Sequence, residues 1–224
     1  MKDTKETKST KSTKNRASEL SVAVARSIVV VKRCVNVLCG LGVLAVLCVP
    51  SAARVEQLRV ESIEGREVDP FAAPTGARAI VFLFTSTECP ISNRYAPEVR
   101  RLAAKFAPQG VLFRLVYPDP ADEAHTIQEH LSAFAYAGAT EALRDPKHAL
   151  VNLVGATVTP EAAVYTNGRV VYHGRVDDRY VDLGLERPAP TVHDLEDALA
   201  AVLAGRAVEH PVTQAVGCYI ADFK

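Results

Sequence analysis

The sequence predicts an α/β domain built on one mixed central sheet with helices packed against it, preceded by a leader that is not part of the domain. Three observations predict it. The run Ala79–Phe84 is almost wholly apolar, as for a strand buried on both faces, and a helical period begins at Pro90. Val111–Val116 repeats the arrangement, an apolar run followed by helical spacing, so strands and helices alternate. Finally, the runs Ala162–Tyr165 and Val170–Tyr172 are joined through Asn167-Gly168, a dipeptide suited to the left-handed turn of a hairpin, which adds antiparallel pairing to the sheet.

The chain has 224 residues. Residues 1–33 form a basic leader whose first part is mostly Lys, Thr and Ser, too polar to pack, and disorder is expected there. Lys32-Arg33 then introduce an uncharged stretch from Cys34 to Val49, closed by Pro50-Ser51-Ala52-Ala53. A basic flank, an apolar run and small residues match a secretory signal in residues 34–53, cleaved after Ala53. The alternative is an uncleaved anchor holding the protein to the membrane through residues 34–50, although a span ordinarily needs roughly 20 apolar residues. Either reading exports the domain, with the periplasm or its equivalent as the expected compartment.

Export changes the charge balance. The leader and apolar segment hold 9 Lys and Arg against 3 Asp and Glu, which leaves 17 against 23 in residues 54–224, a net charge of −6. A mildly acidic domain argues against a nucleic-acid partner. Of five cysteines, Cys34, Cys39 and Cys48 fall in the leader, and only Cys89 and Cys218 remain in the exported part. In an oxidising compartment that pair allows one intramolecular disulfide.

The elements follow in order. Arg54–Val68 alternates loosely around a Glu64-Gly65 turn, and Asp69-Pro70 to Gly76 reads as loop. Pro90–Phe106 places Tyr95, Val99, Leu102 and Phe106 on one helical face, with Pro97 expected to bend it. Ala121–Tyr136 carries Ile127, Leu131 and Phe134 at helical spacing; a short strand ends near Leu143, and His148–Val154 is a short helix. Pro190-Thr191 opens the last helix, which runs to about Leu203. The domain is thus expected over 54–205, with 206–224 a tail of no clear period that carries Cys218. The charged segment Gly174–Tyr180 reads as a solvated loop.

Cys89 is the residue most suited to chemistry. It stands where the first buried strand gives way to a helix, beside unpaired backbone N–H groups and the positive end of the helix dipole, both of which favour a thiolate. Among its charged neighbours, Glu88 is expected to raise its pKa and Arg94 to lower it. Ser92 caps a backbone group or donates to the thiolate. The six histidines are scattered, and no metal site is expected.

Taken together these features resemble the thioredoxin-like superfamily, specifically its redoxin branch (AhpC/TSA and TlpA-like proteins). Cys89-Pro90-Ile91-Ser92 stands where that family has C-x-x-C, and Pro97 stands where thioredoxins bend the active-site helix. Thr159-Pro160 resembles the family's cis-proline, with Gly168 following in the hairpin. The resemblance implies a thiol-disulfide oxidoreductase without an organic cofactor. Cys89 would be the nucleophile and Thr159-Pro160 the substrate-positioning loop; the partners would be protein thiols or disulfides and an external thiol reductant. Arg175 is a further residue expected to reach the active face. Two departures matter. Ser92 replaces the second motif cysteine, so no disulfide can form within the motif. In the peroxiredoxin signature, Phe82 replaces the proline and Ser86 the threonine; a peroxidase reading would make Cys89 peroxidatic, Cys218 resolving and Ser86 the hydroxyl that contacts peroxide. Copper chaperones of this fold need a cysteine where Asn93 stands. For Cys218 three roles stay open: a resolving thiol, a structural partner whose bridge would contribute about 4–5 kcal/mol by chain entropy, or an inert tail thiol. A non-catalytic binding module using the same groove is the alternative from outside enzymology.

Overall fold

In the computed structural model, the described residues are 58–221, apart from 137 and 139. The leader (1–33) and the apolar signal or anchor segment (34–53) lie outside the described residues. Among the described residues no helix is long and apolar enough to cross a membrane.

A seven-stranded mixed sheet forms the centre. Its middle is the strand β3 (Ala79–Phe84), paired in parallel with β4 (Val111–Tyr117), which pairs in parallel with β5 (Glu141–Arg144). On the other side of β3 the hairpin β7 (Glu161–Thr166) and β8 (Arg169–Gly174) is antiparallel, turned at Asn167-Gly168 as the sequence predicts. The loose N-terminal alternation resolves into a small hairpin, β1 (Val60–Ser62) and β2 (Glu67–Val68), added to the β5 edge.

Side-chain alternation along β3 divides the core. Ala79, Val81 and Leu83 face the layer of helices α1 (Pro90–Phe106), α2 (Ala124–Ala133) and α4 (Asp194–Leu203). Ile80, Phe82 and Phe84 face α3 (Ala149–Val154) and its surroundings. Every residue of β3 is buried, so a near-continuous apolar run is what a central strand with two covered faces requires. Each of the larger side chains, from Ile80 to Phe84, contributes roughly 1.5–3 kcal/mol of transfer free energy. This is the mixed central sheet flanked by helices that the sequence predicts.

Two expectations need correction. The last helix starts at Asp194 rather than at Pro190-Thr191, because Thr191 is engaged with Asp178: both its N–H and its hydroxyl donate to that carboxylate, at 2.6 Å each. The segment Gly174–Tyr180 is not a solvated loop. Val176, Asp177, Asp178 and Tyr180 are buried, and Asp177 accepts from Tyr95 Oη at 2.5 Å and from the Arg179 N–H at 2.9 Å. Hydrogen bonds from α1 and from the 191–192 backbone let these carboxylates sit inside. A further two-stranded ribbon, β9 (Tyr180–Asp182) with β10 (Leu185–Glu186), follows.

The tail is also structured. Its Thr213 N–H donates to His173 O at 3.1 Å, and Pro211 O accepts from His173 N–H at 2.9 Å, which lays the chain along β8. Gly174 makes that approach feasible: a Cβ there would lie 2.2 Å from Thr213 Oγ1. Beyond it, β11 (Cys218–Tyr219) pairs antiparallel with β6 (Val158–Thr159).

Candidate active site

Strand register brings the site together. β7 begins at Glu161, opposite Phe84, the last residue of β3. The residues just before Glu161 and just after Phe84 therefore meet at one end of the sheet, and these are Thr159-Pro160 and the loop leading to Cys89. The Thr159-Pro160 bond is cis. Cys89 is the N-cap of α1, with Pro90 at the first helical position and Pro97 accommodated inside the helix. Its Sγ accepts from the Ser92 backbone N–H at 3.4 Å and, as a thiol, donates to Thr159 O at 3.0 Å.

Cys89 is only 2% exposed. Burial works against its thiolate, but the neighbouring Cys218, Ser92 and Thr159 side chains and the Ser92 N–H favour the charged sulfur more strongly and hold the Cys89 thiol below its ordinary pKa. The Ser92 hydroxyl is buried and has no hydrogen-bond partner among the described residues, which leaves its proton available to a charged sulfur. Cys218 behaves oppositely: burial, together with donation to the Cys89 sulfur and that sulfur's charge, pushes it up to about 12. The pair is asymmetric. The Cys89 thiol is pulled down and the Cys218 thiol pushed up.

The charged neighbours weighed from sequence do not set this balance. Arg94 Nη1 donates to Glu186 at 2.8 Å, and Glu88 is exposed at the rim. Arg175 is held by Asp194, through Nε to Oδ2 at 2.7 Å and Nη2 to Oδ1 at 3.3 Å, so it does not join the residues around the sulfur. Ser86 does join them: its carbonyl accepts from the Cys89 N–H at 3.3 Å, and with Cys89, Thr159, Cys218 and Tyr219 it lines a cavity of about 170 Å³.

Three supports escaped the sequence reading. Glu161, 4% exposed, accepts from the Thr157 and Val158 N–H groups at 3.0 and 3.4 Å with Oε2, and its Oε1 meets His173 Nδ1 at 3.0 Å, fixing β6 from behind. A lone carboxylate opening a buried apolar strand was the available signal. Asn93, read only as a missing copper ligand, donates through Nδ2 to Thr87 O at 3.1 Å and accepts from His130 Nε2 at 2.8 Å; His130 Nδ1 in turn meets Tyr117 Oη at 2.9 Å. This network fits a neutral imidazole protonated at Nε2, and burial lowers the His130 pKa accordingly. The third is Gly217, where a Cβ would fall 2.1 Å from Thr159 O, so only glycine lets the tail lie against β6. Away from the thiols, Glu98, Asp177 and His193 place potential ligand atoms within 4.8 Å of one another, but both Glu98 oxygens already accept from Arg101, at 2.7 and 2.8 Å.

No family model and no curated protein matches this chain. Solved structures do. An uncharacterized conserved protein from Geobacillus kaustophilus superposes with a TM-score of 0.62 at 23% identity, covering 73% of this chain and 87% of its own. A hypothetical protein, SMc02350, from Sinorhizobium meliloti 1021 gives 0.59 at 24% identity, covering 72% and 88%. A secreted Mycobacterium tuberculosis disulfide oxidoreductase homologous to E. coli DsbE is found at a TM-score of 0.44 and 17% identity, over 66% of this chain and 96% of that one.

Proposed function

We propose that this protein is an exported thiol-disulfide oxidoreductase on a thioredoxin-like scaffold, with Cys89 as nucleophile and Cys218 as resolving thiol. The observation that carries the reading is geometric: Cys218 pairs opposite Thr159, whose carbonyl accepts from the Cys89 thiol at 3.0 Å, and both cysteines line one cavity. Ser92 and the start of α1 stabilise the thiolate, and Thr159-Pro160 forms the wall against which a substrate disulfide is held. The domain runs from residue 54 through the tail, the apolar segment before it serving for export.

The chemistry balances as a two-electron exchange. The Cys89 thiolate attacks one sulfur of a substrate disulfide; a Cys89–substrate bond forms, the substrate S–S bond breaks, and one substrate thiolate leaves. Once Cys89 is in that mixed disulfide its negative charge is gone, and with it part of what holds the Cys218 proton. Cys218 then passes its proton to the departing thiolate and attacks Cys89 Sγ. This forms Cys89–Cys218 and releases the second substrate sulfur, which takes a proton from solvent. The substrate gains two electrons and the protein loses two, to be restored by an external dithiol.

The peroxidase alternative has less support. Ser86 is in place, but among the described residues no arginine lines the cavity.

Glutathione disulfide provides the test. The reduced protein should end as Cys89–Cys218 with two glutathione thiols released, and Cys218→Ala should arrest as a Cys89–glutathione adduct found by peptide mass analysis. Absence of any Cys89 adduct in both proteins overturns the reading.

A further inference from the structure

The tail does more than deliver Cys218. The β6 edge it covers is the edge that ends in Thr159 beside the nucleophile, and β11 takes it as an extended strand, with Cys218 opposite Thr159 and Tyr219 opposite Val158. The Ile220 N–H donates to Thr157 O at 3.0 Å, completing a short antiparallel ladder. A cysteine-bearing strand of this same chain thus fills the place beside Cys89.

We propose that β11 is a built-in competitor for this edge: a partner's cysteine-bearing strand must displace it, and the strand that does so carries glycine immediately before its cysteine. The proposal rests on the exchange reading above and names the substrate class that reading leaves open.

Two features make the tip displaceable. The tail is fastened upstream, where Thr213 Oγ1 lies 2.8 Å from Tyr172 Oη and accepts from the Arg175 N–H at 3.1 Å. The tip beyond Ala215 is held without a covalent tie, by the two-residue ladder, the Ile220 N–H and the packing of half-buried Val216, Cys218 and Ile220, while Tyr219 is 83% exposed. The tip can swing while its anchor holds. In the oxidised state the Cys89–Cys218 bond tethers the tip and closes the edge; in the reduced state only backbone hydrogen bonds and side-chain packing hold it.

The glycine requirement follows from geometry. The 2.1 Å approach of a Gly217 Cβ to Thr159 O is a clash with backbone, not with a side chain that could rotate away. A competing strand in the same register meets the same carbonyl at the residue preceding its cysteine.

The test uses the reduced full chain and a fluorescent peptide copying residues 214–221 with serine in place of cysteine. Gly217→Ala unseats the chain's own tip, and Ile220→Pro does so independently by removing the N–H that reaches Thr157. Both variants should bind the peptide about tenfold tighter than wild type or better, the oxidised wild type should not bind it, and a peptide with alanine in place of glycine should bind the variants about tenfold more weakly. Equal affinities for wild type and both variants, or no binding by any of them, overturn the competition. Equal affinities for the two peptides overturn the glycine requirement. Glutathione-disulfide exchange at Cys89, followed in the same samples, separates the two levels: exchange with unchanged peptide affinities sinks the competitor alone, whereas changed affinities without exchange sink the oxidoreductase reading and leave the docking edge.

Discussion

Cys218 stands directly opposite Thr159 on the paired strands β11 and β6, and Thr159 O accepts from the Cys89 thiol at 3.0 Å. One residue of the cis-proline loop thereby organises both sulfurs, one through its main-chain carbonyl and the other through strand pairing. The consequences of that arrangement can be measured.

If Cys218 supplies part of the stabilisation of the Cys89 thiolate, Cys218→Ala should move the Cys89 alkylation profile to higher pH. Ser92→Ala should move it in the same direction, because a hydroxyl donor is lost while the Ser92 N–H remains. Arg94→Ala should leave it in place, since that guanidinium is committed to Glu186. Iodoacetamide kinetics on the reduced variants from pH 4 to 9 check all three.

Glu161 fixes the cis-proline loop through the Thr157 and Val158 N–H groups. Glu161→Ala leaves those donors without their acceptor and should cost about 1–3 kcal/mol of stability. It should also slow closure of the Cys89–Cys218 disulfide relative to wild type, while alkylation of Cys89 in urea stays the same. Denaturant unfolding and timed oxidation read the two effects.

His130 gives a pH dependence of defined sign. Burial lowers its pKa in the folded protein, below the value of about 6.5 it takes when unfolded. Its contribution to stability is therefore fully present above about pH 6.5 and is lost as pH falls through the lowered folded value. His130→Gln should be less stable than wild type at pH 8, because the Asn93 and Tyr117 contacts are disturbed. Its melting temperature should nevertheless fall less steeply between pH 6.5 and 4.5.

Because Arg175 is tied to Asp194 and no arginine among the described residues lines the cavity, peroxide should be a poor substrate. Reduced protein should consume hydrogen peroxide no faster than an ordinary thiolate at matched ionisation, and Ser86→Ala should not slow it. Rapid consumption that depends on Ser86 would restore the peroxidase reading.

The parts of this fold legible in the sequence are those with a local period. The run Ala79–Phe84 and the helix Pro90–Phe106 have the predicted bounds, because a doubly buried strand and an amphipathic helix write their environment into consecutive residues. The hairpin turn at Asn167-Gly168 was equally plain. Segments whose burial depends on distant partners were not. Asp177 and Asp178 look like surface charges until Tyr95 and Thr191 arrive to bond them. The tail strand is only two residues long and has no period to find. Its one sequence signal was Gly217 ahead of Cys218, whose meaning depends on Thr159 lying across from it. Arg94 and Arg175 were overvalued for the same reason: a long cationic side chain pairs with whichever carboxylate the fold brings near.

The central claim is that Cys89 and Cys218 form a reversible redox pair, and disulfide mapping tests it most directly. Reduced protein would be treated with one equivalent of a mild dithiol oxidant, alkylated, digested without reductant and analysed by mass. The account predicts a single Cys89–Cys218 peptide pair within the domain, formed quickly and lost again on addition of excess dithiol. Recovery of Cys89 unpaired, with Cys218 alkylated at the same rate before and after oxidation, would contradict it.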